Sequence, residues 1–134
     1  MGHDISLYIE EVQIDNCFPV VGEGNYKCRQ NLEIDHFQDS LYITHNLSDI
    51  IYLGLTNIGE TSINCWGDWL HNRSCLDAIS LLVKLRLEIE SHPDLYKPLE
   101  PKNGWGSYDG LVAKLRALYT ACCEHPSAVI HDWY

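Results

Sequence analysis

Long hydrophobic runs are missing from this chain, and so is an excess of positive charge. The longest mainly apolar stretch, Ala78 to Val83, is interrupted by Ser80, whereas a membrane-spanning helix needs about 18 to 20 apolar residues in a row. Only 9 of the 134 residues are lysine or arginine, against 19 acids, and the formal net charge is −10. We therefore expect neither a membrane protein nor a protein that binds the phosphate backbone of nucleic acids directly.

Signs of export and of metal binding are missing as well. The first residues lack the basic start and apolar run of a signal peptide, so a cytoplasmic location is expected. The 6 cysteines then predict free thiols, because disulfides belong mainly to exported proteins. Cys122 and Cys123 are adjacent, and Cys65 and Cys75 are too far apart for a zinc knuckle. We predict no metal site.

Catalytic patterns are equally sparse. No histidine or cysteine lies in a recognised nucleophile context, and no glycine-rich loop has the lysine that a phosphate-binding loop carries. The chain therefore favours a protein that is not an enzyme, with no catalytic residue and no cofactor.

The negative charge is concentrated in the first half. Residues 1–63 hold ten acids against two bases, a net of −8, and residues 64–134 hold nine acids against seven bases, a net of −2. A field of this sign favours a basic partner, including the nucleic-acid groove of another protein. The alternative is a solvated acidic surface that serves only solubility.

Alternating residues predict a β-sheet. Apolar and polar residues alternate over Ile5–Ile9 and again over Cys28–Phe37, and a hairpin turn at residues 38–40 leads to a short strand over Leu41–Thr44. A last strand over Ala128–Trp133 is predicted to rejoin the sheet.

Helical spacing dominates the second half. Ser74 is predicted to cap a long helix that ends before Pro93, and a second long helix begins at Ser107 and ends before Pro126. Leucines and other apolar residues recur every three to four positions in both segments, as expected for helices with one buried face.

A short helix completes the predicted architecture. Ser48 can cap it, and Gly54 is predicted to end it. Together these elements predict one α+β domain over residues 1–134, with a three- to four-stranded, mainly antiparallel sheet and two long helices packed on one face.

Three segments carry residues typical of contact sites. Cys65–Asn72, predicted to be a loop, and Asn103–Asp109, which opens the last helix, combine tryptophan with polar residues and glycine. Thr44–Asn46 ends the third strand. In each segment the alternative is structural, with tryptophans filling the core, glycines shaping turns and an asparagine bonding local backbone. The candidate ligand- or partner-binding residues are Thr44, His45, Asn46, Trp66, Asp68, Trp69, His71, Asn103, Trp105 and Tyr108.

Parts of the chain resemble a family of small proteins from bacteriophages and their bacterial hosts. The resemblance is carried by Asp4–Tyr8, by Thr44–Leu47 and by the tail, which contains His92–Tyr96 and the Asn-Gly-Trp-Gly-x-Tyr motif of Asn103–Tyr108. The tail motif is the more specific part. No activity is established for that family, so the resemblance implies a phage-type origin, and with it the cytoplasm of the host cell, but no mechanism.

Three functions fit these features. The first is a small acidic phage-type accessory protein that binds without catalysis and inhibits a basic host protein, such as a defence protein. The second is a protein that binds or sequesters a small molecule or nucleotide, with Thr44, Asn46, Asn103 and Tyr108 lining the pocket. The third is a small enzyme, which requires a histidine or cysteine held against an acid. The chain is expected to be a monomer, or a homodimer that pairs through its last strand.

Overall fold

An antiparallel sheet and a layer of helices form the fold, as a computed structural model describes for residues 2–12, 27–31 and 41–133. The elements in these ranges are β1 (Gly2–Val12), β2 (Lys27–Asn31), β3 (Leu41–Thr44), α1 (Ser48–Asn57), α2 (Trp66–Leu70), α3 (Cys75–Ser91), α4 (Pro93–Tyr96), α5 (Tyr108–Glu124) and β4 (Val129–Trp133). The predicted α+β class is confirmed. None of the helices in these ranges is both long and apolar enough to cross a bilayer.

The long strand β1 is the centre of the sheet and pairs antiparallel with the other three strands. Both β3 and β4 pair with Asp4 and Ile5, so these two strands lie at opposite edges of β1. The last strand rejoins the sheet, as predicted. The second predicted strand, Cys28–Phe37, is confirmed only for Cys28–Asn31, because its remainder and the hairpin turn lie outside the described residues.

The core lies between one face of the sheet and the two long helices. Alternate residues of β1 point into it, including Ile5 and Leu7, which are fully buried. Leu82 of α3 and Leu115 of α5 belong to the same buried cluster. Burial of each such side chain stabilises the fold by about 1.5–3 kcal/mol.

The predicted helix starts are confirmed for both long helices. The Ser74 hydroxyl accepts a hydrogen bond from the Asp77 N–H at 3.2 Å, and the Ser107 hydroxyl accepts one from the Gly110 N–H at 3.0 Å. Pro93 does not continue α3 but occupies the first turn of α4, where its missing N–H is not needed.

Two local predictions are wrong. Ser48 does not cap the short helix, because it is the first residue of α1 and its hydroxyl donates to the His45 carbonyl at 2.6 Å. A 3-10 turn at His45–Leu47, which Thr44 caps, precedes α1. Gly54 does not end α1 either. It lies inside the helix, where a Cβ atom would come within 2.8 Å of Leu85 Cδ1, so glycine allows α1 to pack closely on α3.

The segment Cys65–Asn72, predicted to be a loop, contains the short helix α2. Its composition did not predict a helix because glycine and tryptophan are weak helix formers. Tertiary packing decides the outcome, since Trp66 and Leu70 are both buried against the core.

Candidate functional site

The loop Asn103–Gly106 is a tight turn that leads into α5. Gly104 and Gly106 adopt φ angles of 78° and 106°, in the left-handed region that residues with side chains rarely occupy. The Asn103 side-chain oxygen Oδ1 accepts a hydrogen bond from the Trp105 N–H at 2.9 Å. The backbone conformation at Trp105 is therefore determined by the left-handed glycine on each side of it and by the hydrogen bond to Asn103.

This loop packs against the end of β3. A Cβ atom on Gly106 would lie 2.9 Å from Thr44 Cγ2 and 3.1 Å from Leu47 Cγ, so the loop backbone touches both side chains. The Asn103 side-chain amide donates to Asn46 Oδ1 in a long contact of 3.5 Å. The Asn46 amide in turn donates to the Thr44 hydroxyl at 3.2 Å.

The structure thus brings together two groups of candidate residues that are more than fifty positions apart. We call this site the Trp105 corner. It consists of Thr44, Asn46, Asn103, Trp105 and Gly106.

Trp105 is the most exposed large hydrophobic residue in the described ranges, with 69% of its surface accessible. An indole ring offers a large apolar area together with one hydrogen-bond donor, a combination that favours contact sites. Because the loop that carries it is held by hydrogen bonds and packing, the ring is presented on a fixed backbone. Such preorganisation reduces the conformational entropy that is lost on binding.

Tyr108, two residues after the loop, is a buried structural residue. Its hydroxyl donates to the carbonyl of Ile89 at 2.6 Å, and its backbone N–H donates to Glu100 Oε1 at 2.7 Å. Burial raises the pKa of the Tyr108 hydroxyl. The hydroxyl therefore holds α5 against the end of α3 and does not line a pocket with Asn46 and Asn103.

Trp66 lies in the core, with 3% of its surface exposed. Polar side chains surround it that no sequence pattern had placed close together. Its ring centroid is 5.1 Å from that of His3, whose Nδ1 is hydrogen-bonded to Asp132 Oδ2 at 2.8 Å. A Cβ atom on Gly67 would collide with both His3 and Asp132, so these side chains rest on the backbone of α2. We call this group, with His45, the His3 cluster.

His3 and Asp132 are separated by 129 positions, which is why one-dimensional patterns missed them. One signal was present. His3 lies on the same face of β1 as Ile5, and Asp132 lies on the same face of β4 as Ile130, so both occupy inward positions of their strands. A polar residue on an inward position of a strand usually has a buried partner.

The His3 cluster holds the ends of the chain together. The His3 and Asp132 side chains are only 4% and 3% exposed, so their hydrogen bond lies inside the fold. Within the described ranges, no group of three or more histidine, cysteine, aspartate or glutamate residues is arranged to hold a metal ion. His45 links the cluster to the Trp105 corner, since its ring lies 5.0 Å from that of His3 and its neighbour is Asn46.

The other residues of the two-tryptophan segment have different surroundings. The Arg73 guanidinium lies 3.9 Å from the centre of the half-buried Trp69 ring. Asp68 is exposed, and it lines with Trp69 an open groove of about 380 Å³ that shares no lining residue with the Trp105 corner. His71 Nδ1 accepts a hydrogen bond from the backbone N–H of Asp132 at 3.1 Å, which fixes His71 at the edge of β4.

A second open groove, of about 360 Å³, runs along α3 and α5. Its lining includes Glu90 and Arg116, which form an ion pair, and Arg86 contacts the other oxygen of the same carboxylate at 3.1 Å. The charge of the Glu90 carboxylate is therefore compensated by two guanidinium groups.

The thiols give no support to nucleophilic chemistry in the core. Cys75 and Cys122 are both buried, and a hydrogen bond with Cys75 together with burial strongly raises the pKa of the Cys122 thiol. A thiol with a raised pKa is a poor nucleophile near neutral pH. Cys123 is exposed.

Comparisons of this chain with protein-family models, with curated proteins and with solved structures find no match.

Proposed function

We propose that this protein acts by binding a macromolecular partner, with Trp105 as the central contact. The observation that carries the proposal is the combination of 69% exposure of the indole with a loop held on both sides. Exposed tryptophans on preorganised backbone are typical of the few residues that supply most of the binding energy in protein interfaces.

The net charge of −10 supports a basic partner, because it would speed the encounter with a positively charged surface. The resemblance to phage proteins supports a host protein in the cytoplasm as the target, with inhibition as the outcome of binding. The basic charge of the partner and its identity as an inhibited host protein can each be tested without reference to the contact through Trp105.

Affinity capture from a lysate of cells that carry the protein tests the proposal. The wild type is compared with Trp105→Ala and with Leu76→Ala, which removes another exposed apolar side chain, on α3. We expect a partner that wild type and Leu76→Ala retain equally and that Trp105→Ala binds about 30-fold more weakly. Equal retention by Trp105→Ala, or no specific partner for the wild type, would contradict the proposal.

A small ligand is the second candidate, favoured by the groove beside Trp69. Its volume of about 380 Å³ lies within the range of small-molecule sites. A rise in melting temperature with nucleotides or other metabolites, abolished by Trp69→Ala and kept by Trp105→Ala, would support this function over the first.

A further inference from the structure

Three aromatic rings in the described ranges have a cation above them. Arg73 lies over Trp69 at 3.9 Å, Arg86 over Tyr119 at 5.2 Å and Lys114 over Tyr42 at 6.0 Å from the ring centroids. Each distance is within the range of cation–π attraction. In the described ranges, the more exposed ring of Trp105 has no such cation.

Exposed carboxylates flank the Trp105 corner along both segments that form it. Asp49 follows Asn46 by three residues in the first turn of α1, and Asp109 follows Trp105 by four residues in the first turn of α5. Lys102 is the nearest base in sequence. Across residues 44–49 and 102–109, two acids and one base leave a net charge of −1, the same sign as the charge of the whole chain.

The corner also offers hydrogen-bond acceptors. The side-chain oxygens of Asn46 and Asn103 each accept one hydrogen bond within the corner. An amide oxygen has a second lone pair, so each can accept another N–H. Both asparagines are exposed, which leaves these oxygens within reach of a partner.

We propose that Trp105 receives an arginine side chain from a basic peptide segment of the partner, an inference that rests on the proposed binding function. The planar guanidinium stacks on the indole face while its N–H groups donate to the amide oxygens of Asn46 and Asn103. Asp49 and Asp109 attract the remaining positive charge of the segment. An acidic segment would meet repulsion at the same place.

A defined peptide tests this recognition without knowledge of the partner. The probe is a fluorescein-labelled arginine–glycine repeat, compared with a glutamate–glycine repeat of equal length, and binding is followed by fluorescence anisotropy. We expect the wild type and Leu76→Ala to bind the arginine peptide alike, with affinity that falls as salt is raised. Trp105→Ala is expected to bind about tenfold more weakly.

The acidic residues provide an independent variant. Asp49→Asn combined with Asp109→Asn keeps Trp105 and is expected to weaken binding of the arginine peptide by about threefold and to reduce its salt dependence. Unchanged binding by Trp105→Ala, no binding by the wild type, or equal binding of the glutamate peptide would overturn the proposal.

Competition separates this inference from the proposed function. If a captured partner depends on Trp105 and the arginine peptide displaces it, both stand. If the partner depends on Trp105 but the peptide does not displace it, the arginine inference fails and the binding function stands. If the peptide binds through Trp105 but no partner is captured, the function fails instead.

Discussion

Trp66 and Trp105 are each followed directly by a glycine, yet one ring is 3% exposed and the other 69%. The two glycines have different contacts. At Gly67 the side chains of His3 and Asp132 pack onto the backbone of α2, beside the buried ring of Trp66. At Gly106 the loop backbone packs onto Thr44, which fixes the loop and leaves the preceding tryptophan in solvent. One indole therefore belongs to the core, and the other lies in solvent on a loop that packs through its backbone.

Truncation of the two tryptophans should show the largest contrast. Trp66→Ala removes a buried ring beside His3 and is expected to lower the free energy of unfolding by about 3–5 kcal/mol. Trp105→Ala removes an exposed ring and should change it by no more than about 0.5 kcal/mol. Urea denaturation measures both, and similar losses for the two variants would show that Trp105 also supports the fold.

Loss of the buried carboxylate should be the next largest effect. Asp132→Ala leaves the Nδ1–H of His3 buried without its acceptor, so the free energy of unfolding is expected to fall by about 3 kcal/mol. Asp94→Ala is the matched control, since Asp94 is exposed, and should change stability by about 0.5 kcal/mol or less. Equal effects in urea denaturation would mean that the His3 cluster does not hold the chain ends together.

The core region should also respond to alkaline pH, whereas the Trp105 corner should not. Burial raises the pKa of Tyr96 and Tyr108 above their ordinary value of 10.0. The unfolded chain therefore releases these protons first, so the stability that they contribute is complete below pH 10 and is lost as pH rises further. Urea denaturation at increasing pH should show this fall, with a shallower slope for Tyr108→Phe. A slope unchanged in Tyr108→Phe would exclude that hydroxyl as a cause.

Local sequence rules predicted the elements whose boundaries depend on nearby residues. The strand Leu41–Thr44 and the caps at Ser74 and Ser107 agree with the structure. Capping is a contact over three positions, so the sequence contains all the required information. Gly54 shows the limit of such rules, because its role depends on Leu85 of another helix.

The candidate site was predictable only as separate pieces. Thr44, Asn46, Asn103 and Trp105 stood out by composition, but their contact depends on how α5 docks beside β3. Tyr108 shared the composition of its neighbours, yet its helical position turns the ring inward. His3 and Asp132 had no local pattern, and only the pairing of the first and last strands brings them together.

The smallest effect should come from releasing the loop without removing its ring. Asn103→Ala removes the acceptor for the Trp105 N–H and the contact with Asn46, but both are near the surface, so stability should fall by less than about 1 kcal/mol. The mobility of the loop backbone should change more than the stability does. The backbone order parameter of Trp105 is expected to fall from about 0.85, as in rigid backbone, to below about 0.6 in NMR relaxation.

Asn64→Ala is the control for this experiment, because Asn64 is also exposed and lies outside the Trp105 corner. In Asn64→Ala, the backbone order parameter of Trp105 should equal that of the wild type. If Asn103→Ala loosens the loop and also weakens binding of the arginine peptide, the fixed backbone contributes to recognition. If the order parameter stays high, packing of Gly106 on Thr44 is sufficient to hold the loop without the side chain of Asn103.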